Sequence, residues 1–153
     1  MGAGPLGMEA LSVLRAEKGY IVIGKDTDGD SIPPDLGVFG PRDKKTAAYI
    51  GDRGLQTVAA RSADRQHLVG LAVDAGAAML PVGAHIVDGE RSAGFVTSSY
   101  DSPTLGHPIA LAQVRGGLGR MGEMVTLYHL GATLRATVVD PCVFDPDGER
   151  LNA

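Results

Sequence analysis

Several features that mark large classes of protein are missing from this sequence. It contains no tryptophan, and aromatic residues make up only 5% of the chain. Its single cysteine, Cys142, cannot form an internal disulfide, which favours a reducing compartment. No apolar run approaches the roughly 20 residues that a membrane-spanning helix needs. Since the first residues also lack the charged and apolar regions of a signal peptide, we predict a cytoplasmic protein with no membrane association.

Positive charge is also scarce. The chain has 14 Lys and Arg against 18 Asp and Glu, which gives a net charge of -4 at neutral pH. Nonspecific binding to nucleic acid requires clustered basic side chains, so this class of partner is disfavoured. The one basic run, at residues 42–45, is interrupted by Asp43 and is interpreted as an exposed loop.

Turn-forming residues and apolar residues are plentiful. The sequence contains 22 glycines and 9 prolines, and 44% of its residues are hydrophobic, which predicts a globular domain with many short elements. From about Gln66 the apolar residues recur with period two, and Gly-rich connections separate the segments. Six strands are expected, at residues 67–73, 84–87, 93–99, 108–114, 125–129 and 134–138. This spacing favours a small antiparallel β-barrel or a sandwich, and we predict the barrel.

The first 60 residues have a different pattern. Residues 8–16 predict a short helix that ends at Gly19, and residues 20–23 predict a compact strand. A polar, proline-broken loop follows at residues 25–40, and a second helix is expected after Asp52. The polar residues 61–65 are read as a linker. We therefore predict two units, a helix–strand–helix piece at residues 1–60 and the barrel at residues 66–153.

Most of the chemistry-bearing residues have an ordinary structural interpretation. The acidic run at residues 26–30 is reminiscent of a calcium loop, but Ser31 and Gly37 occupy the positions where an EF-hand needs Gly and Glu, so ordinary turns are favoured. The four histidines are scattered and no metal site is predicted. Ser98, Ser99 and Ser102 lie in no nucleophile elbow, and Ser102 is expected to fix a corner by bonding nearby backbone.

Two further sequence features bear on catalysis and nucleotide binding. Cys142 has no neighbour in sequence that would activate a thiol, so it is interpreted as a packed or inert cysteine. The glycines at residues 116–119 join two predicted strands and do not form a phosphate-binding fingerprint. The sequence therefore offers no catalytic residue and no site for a dinucleotide.

Arg15 and Glu17 stand close together at the end of the first predicted helix. From spacing alone, the favoured interpretation is a surface ion pair, or a helix C-terminus that carries an exposed Arg side chain. The alternative is a cleft in which the guanidinium supplies a fixed positive group and the carboxylate a fixed acceptor.

Several segments together resemble the folate-binding aminomethyltransferase family, which includes the glycine cleavage T protein. Residues 14–19 are similar to the family's Leu-Arg-x-Glu-x-Gly segment, and residues 94–111 are the most specific match. Residues 120–123 and 143–148 favour the branch of sarcosine oxidase alpha subunits over the T protein. The resemblance extends from about Pro5 to Asn152, and its remaining matches lie at residues 25–29, 49–53 and 64–71.

The resemblance implies a role in folate-dependent one-carbon transfer. Arg15 would face tetrahydrofolate, and Glu17 and Tyr20 would lie on the same wall of the site, in a remnant of the folate-binding domain. The family's catalytic carboxylate belongs to sequence outside this chain, so the isolated chain is expected to be inactive. The implied parent enzyme demethylates sarcosine oxidatively, binds FAD, FMN and NAD outside this chain, and contains other subunits.

Two alternatives to this interpretation stay open. One is a noncatalytic barrel module that binds folate or a protein partner, and the other is an aminomethyltransferase of the glycine cleavage type. If the chain is a fragment, residues 8–23 would expose apolar surface, and we expect a homo-oligomer that covers it.

Overall fold

The structure, a computed structural model, describes residues 4–37, 49–74 and 76–150. It contains one α-helix, α1 (Met8–Glu17), and short 3₁₀ turns at Pro33–Leu36, Gly54–Gln56 and Gly117–Arg120. Six strands follow α1 along the chain, namely β1 (Gln66–Ala72), β2 (His85–Asp88), β3 (Arg91–Ser102), β4 (His107–Arg115), β5 (Met124–His129) and β6 (Ala132–Val139). All six predicted strands are present, with ends that differ by a few residues.

The six strands form a closed antiparallel barrel in the order β1-β4-β3-β2-β5-β6. β1 closes it, because Gly70 pairs with Leu111 of β4 on one side and with Val139 of β6 on the other. Closure gives each of these strands two neighbours and so avoids a long unpaired edge. The predicted antiparallel barrel is therefore confirmed.

Alternate residues of the strands fill the barrel interior. The largest apolar cluster consists of Val69, Leu71, Leu80, Ala84, Ile86, Ala93, Val96, Ala110, Ala112, Val114, Val125, Leu127, Ala136 and Val138. Gly94 shows how closely the strands approach, since a Cβ added there would lie 2.0 Å from the carbonyl oxygen of Gln113. The interior is thus built from small and branched apolar side chains that a narrow barrel can enclose.

A second, smaller apolar cluster lies outside the barrel, where α1 packs on the outer faces of β3 and β4. Its buried members are Ala16, Leu68, Ile109 and Leu111, with Ile21, Leu36, Tyr100, Leu105 and Val143 packed around them. We call this contact zone, formed by residues 15–26 and the outer faces of β1, β3 and β4, the outer seam.

Two elements predicted for the first 60 residues are wrong. Residues 20–22 form no strand, because the carbonyl of Val22 accepts hydrogen bonds from the backbone N–H groups of Lys25 and Asp26 and the chain turns back on itself. The helix expected after Asp52 is a single 3₁₀ turn at Gly54–Gln56 with no side-chain cap. Val58, expected on its apolar face, is exposed, so that face has nothing to pack against.

The first helix is confirmed. Within the residues that the structure describes, no helix has the length and apolar character needed to cross a bilayer. The basic run at residues 42–45 lies outside the described residues. The barrel begins at Gln66, while the division of the chain into two units stays a prediction.

Candidate functional site

The end of α1 places Arg15 and Glu17 against the barrel. Gly19 adopts a left-handed conformation with φ 69°, and the N–H groups of Gly19 and Tyr20 bond the carbonyls of Ala16 and Arg15. This is a Schellman motif, which satisfies the last helix carbonyls and turns the chain sharply. A Cβ at position 19 would also lie 2.9 Å from the backbone of Pro141, so both conformation and space require glycine.

Arg15 is buried in the outer seam and pairs with Asp26. Its side chain is 9% exposed, and Asp26 is fully buried. Its Nη1 forms an ion pair with Asp26 Oδ2 and also donates a hydrogen bond to the carbonyl of Tyr20 at 3.2 Å. Nη2 donates to Ser98 Oγ at 2.6 Å and to Tyr100 Oη at 3.3 Å. The surface ion pair favoured from spacing is therefore wrong, since Arg15 is buried and its partner is Asp26.

A bulge in β3 brings two hydroxyl groups to Asp26. The register of β3 against β4 shifts between Val96 and Ser98, which leaves Thr97 as an extra residue. Consecutive residues of a regular strand point to opposite faces, and a bulge changes that direction locally. Here Thr97 Oγ1 and Ser98 Oγ both donate to Asp26 Oδ1, at 2.5 and 2.7 Å.

Asp26 is the centre of this network. Its Oδ2 also accepts the N–H of Val22 at 2.9 Å, and its carbonyl accepts Gln113 Nε2 at 2.6 Å. Burial alone would raise the pKa of Asp26. The hydrogen bonds from Thr97, Val22 and Ser98, with the charge of Arg15, outweigh burial and hold the pKa below its usual value. Asp26 is therefore a charged anchor that fixes the loop and the guanidinium together.

Glu17 lies in a neighbouring but separate group of contacts. It is 1% exposed, and it accepts hydrogen bonds from Ser102 Oγ at 2.6 Å and Thr104 Oγ1 at 3.3 Å. Ser102 Oγ also accepts the N–H of Leu105 at 3.0 Å, so Ser102 does fix the corner between β3 and β4 as predicted. The carbonyl of Glu17 accepts the N–H groups of Val143 and Phe144, both at 3.0 Å. These bonds tie residues 140–150, which we call the C-terminal segment, to α1.

The solvent side of the network is formed by Tyr20, Lys25 and Tyr100. The Tyr20 side chain is 58% exposed, and its backbone is the part that contacts Arg15. Lys25 Nζ donates to Tyr100 Oη at 2.7 Å and lies 5.0 Å from the centre of its ring. Although burial opposes it, hydrogen bonding by Lys25 and Arg15 lowers the pKa of Tyr100.

The acidic run after the network is occupied by local bonds. Asp28 Oδ1 accepts Ser31 Oγ at 2.8 Å and the N–H of Asp30 at 3.0 Å, and Asp35 pairs with Arg65 at 2.5 Å. Among the described residues there is no group of three or more His, Cys, Asp or Glu side chains placed to hold a metal ion.

The structure thus brings two of the three sequence-predicted residues into buried networks and leaves the third exposed. Sequence reasoning missed Asp26, Thr97, Ser98, Tyr100 and Gln113 as partners of Arg15. From the sequence, Asp26 is assigned to an ordinary turn and Ser98 is given no catalytic role, although both lie in segments that resemble the family. A usable signal was present, because Arg15 precedes a helix-ending glycine and a turn that carries a carboxylate a few residues later.

Comparisons with known proteins place this chain in a family. The chain is 39% identical over 95% of its length to the sarcosine oxidase subunit alpha of Corynebacterium sp. (strain P-1), of which it covers 16%. It is 36% identical to the sarcosine oxidase subunit alpha of Rhizobium meliloti (strain 1021), over 99% of this chain and 16% of that protein. An aminomethyltransferase of Rubrobacter xylanophilus is 36% identical over 74% of this chain and 30% of its own length. The chain therefore spans about a sixth of the length of the sarcosine oxidase subunits that it matches.

A solved structure has the same fold. The crystal structure of glycine cleavage system aminomethyltransferase T from Bartonella henselae superposes with a TM-score of 0.68 at 23% identity, over 92% of this chain and 40% of that one. Residues 66–145, which span the six strands and the start of the C-terminal segment, match the family model for the glycine cleavage T-protein C-terminal barrel domain. This chain belongs to the glycine cleavage T-protein C-terminal barrel domain family.

Proposed function

We propose that this chain forms the part of a sarcosine oxidase alpha subunit in which the outer seam is one wall of a tetrahydrofolate site. The observation that carries the proposal is the Arg15–Asp26–Ser98 network, which fixes a guanidinium beneath a surface bordered by the exposed ring of Tyr20. Similarity to sarcosine oxidase alpha subunits over 95% of the chain supports the assignment.

In this proposal the chain contributes binding and positioning, and the reaction takes place in the complete enzyme. Sarcosine would be oxidised to its imine by a flavin, and the reduced flavin would pass the two electrons to O2 to give hydrogen peroxide. The imine carbon would then pass to tetrahydrofolate to give glycine and methylenetetrahydrofolate. Holding amine and folate together lowers the entropic cost of transfer, and an enclosed site keeps water from the reactive carbon. FAD, FMN, NAD, the catalytic carboxylate and the other subunits would lie outside this chain, and the enzyme would be cytoplasmic.

The residues in the proposed wall have distinct tasks. Asp26, Ser98 and the carbonyl of Tyr20 hold the guanidinium of Arg15 in one orientation. Glu17 anchors α1 to the corner between β3 and β4, so it positions the wall without facing solvent. Tyr20 is the member that offers an exposed aromatic surface to a flat ligand.

Calorimetric titration of the chain with a reduced folate tests the proposal. We expect micromolar binding that Tyr20→Ala weakens about tenfold, a loss of roughly 1.4 kcal/mol. Tyr128→Ala is the matched control, since Tyr128 is 51% exposed on β5, away from the seam. Absence of folate binding by the wild-type chain, or equal effects of the two substitutions, would contradict a folate wall at this place.

An aminomethyltransferase of the glycine cleavage type is the second candidate. The match to the Rubrobacter xylanophilus aminomethyltransferase favours it, but that match covers 74% of the chain against 95% for the sarcosine oxidase subunit. The C-terminal segment favours the oxidase, since it resembles that branch, and in this structure it is bonded to Glu17 and Lys18. Assays of the complete enzyme that contains this chain would separate the two, since folate-dependent turnover of sarcosine is expected for the oxidase and turnover of the aminomethyl donor of glycine cleavage for the aminomethyltransferase.

A noncatalytic barrel module that binds folate or a protein partner is the third candidate. The apolar surface expected at residues 8–23 of a fragment is exposed, and it would equally suit a module with a protein partner. Large apolar side chains are exposed just before α1, along it and in the turn that follows, namely Leu6, Met8, Leu11, Leu14, Val22 and Ile23. We propose that the isolated chain covers this surface by forming a homo-oligomer. Light scattering over a range of concentrations checks this, and a strict monomer at high concentration would contradict it.

A further inference from the structure

The positive charge of Arg15 is already matched within the protein. Its partner Asp26 is fully buried, and the two Nη atoms donate to Asp26, the carbonyl of Tyr20, Ser98 and Tyr100. These four contacts use the four N–H groups of the two Nη atoms. The remaining donor, Nε, is buried and without a partner. Arg15 therefore cannot bond a ligand at the surface without giving up a contact that it already makes.

Lys25 is the cation of the outer seam whose charge is not matched. Its side chain is exposed, and its Nζ donates one hydrogen bond, to the neutral hydroxyl of Tyr100 at 2.7 Å. No carboxylate of the described residues lies within ion-pair distance of Lys25. Because an ammonium group has three N–H donors, at least one more is available to a ligand.

Tyr100 supplies a second donor beside Lys25. Its hydroxyl oxygen accepts from Lys25 Nζ and from Arg15 Nη2, so both of its lone pairs are used. The hydroxyl proton then remains for a third group, and among the described residues no acceptor takes it. An ammonium N–H and a phenol O–H on adjacent atoms are a suitable pair for two oxygens of one anion.

We propose that Lys25 and Tyr100 together bind a carboxylate of the ligand that lies on the outer seam. This inference rests on the proposed function, in which the ligand is a reduced folate and the carboxylate is that of its glutamate moiety. The task of Arg15 is then different from that of Lys25. Arg15 holds Tyr100 and the loop in place, and Lys25 gives the site its preference for an anionic ligand.

The test compares two ligands that differ only in the glutamate moiety. The full chain is titrated with 5-formyltetrahydrofolate and with its analogue in which NH2 replaces the glutamate, 5-formyltetrahydropteroamide, so that the second ligand carries no carboxylate. Lys25→Met is the main variant, because Lys25 is exposed and the change keeps the length of the side chain while removing its charge. We expect Lys25→Met to weaken binding of the glutamate-bearing ligand about tenfold and to change binding of the shorter ligand less than about twofold.

Three further variants make the result specific. Lys25→Arg keeps the charge and should retain most of the preference. Tyr100→Phe removes the second donor and should reduce the preference for the glutamate-bearing ligand about threefold. Arg91→Met is the matched control, since it removes one exposed positive charge at the opposite end of β3, and it should leave both affinities unchanged.

The outcomes separate the two proposals. If Lys25→Met binds both ligands as the wild type does, or weakens both equally, the carboxylate site is overturned and the folate wall stands. If the wild-type chain binds neither ligand, the proposed function fails and the carboxylate site with it.

Discussion

The barrel interior and the outer seam are held together by different forces. The interior encloses fourteen buried apolar side chains, among them Ile86, Leu127 and Val138. The seam has only four buried apolar residues, and at its centre lie a buried guanidinium and a buried carboxylate. Burial of apolar surface is non-directional and tolerates repacking, whereas a buried ion pair requires particular partners at particular distances. The difference indicates that the barrel is held by packing, whereas the seam holds particular side chains in fixed orientations.

The largest difference between the two regions is expected from Arg15→Met. This substitution leaves Asp26 buried without its cation, and we expect the free energy of unfolding to fall by about 3–5 kcal/mol. Urea unfolding measures the loss. The double variant Arg15→Met with Asp26→Asn should lose less than the sum of the two single variants, because the uncompensated charge is gone. Additive losses would mean that the two groups do not act as a pair.

Leu127→Ala is the corresponding change in the barrel interior. Leu127 is fully buried in the apolar cluster, so truncation should cost about 2–5 kcal/mol through lost transfer energy and a cavity. Because no titrating group is removed, the loss measured by urea unfolding should be the same at pH 7 and at acidic pH. A loss of stability that depends strongly on pH would contradict the claim that the barrel interior, unlike the seam, is held by apolar packing alone.

Ser102→Ala tests the part of the seam around Glu17. It removes the hydroxyl that donates to the buried carboxylate of Glu17 and that accepts the N–H of Leu105. We expect a loss of about 1–3 kcal/mol, since a buried acceptor loses a charge-assisted bond. Ser92→Ala, an exposed change on the same strand, is the control and should cost less than about 1 kcal/mol. Equal losses would show that Glu17 does not depend on Ser102.

The smallest expected effect is a change in the acid dependence of stability. Since the pKa of Asp26 is lowered on folding, its ionised form stabilises the native state above the unfolded pKa, near 3.9, and this contribution is lost as pH falls through the lower folded pKa. Asp26→Asn should therefore reduce the slope of unfolding free energy against pH below about pH 4, by at most about 1.4 kcal/mol per pH unit. An unchanged slope in chemical unfolding at pH 2–5 would assign the acid sensitivity to other carboxyl groups, such as the exposed Asp28 and the half-buried Asp145, whose pKa values are also lowered.

The barrel could be predicted from sequence because its cause is local and periodic. Val69 and Leu71 point inward in turn along β1, and the same alternation recurs in the other strands. The strand expected at residues 20–23 does not form, and β-propensity alone does not reveal why. Those residues are rich in β-branched and aromatic types, but the barrel is closed and offers them no strand edge to pair with.

The candidate site could be predicted only in part. Arg15 was found from its motif, but Asp26 is joined to Thr97 and Ser98 across more than 70 residues of sequence. These contacts depend on a bulge that interrupts the two-residue alternation of β3. Because strands are predicted from that alternation, the sequence does not reveal the bulge. Tyr100 was missed because its hydroxyl meets Arg15 and Lys25 only when the loop has folded onto the barrel, and that contact leaves no pattern in the sequence.

Backbone amide hydrogen exchange, with and without 5-formyltetrahydrofolate, tests most directly whether the seam binds the ligand while the barrel acts as a scaffold. If the seam binds the ligand and the barrel is its scaffold, protection should increase at residues 20–26 and around Tyr100 and stay unchanged in β5 and β6. Protection gained in β5 and β6, with none at residues 20–26, would contradict the account.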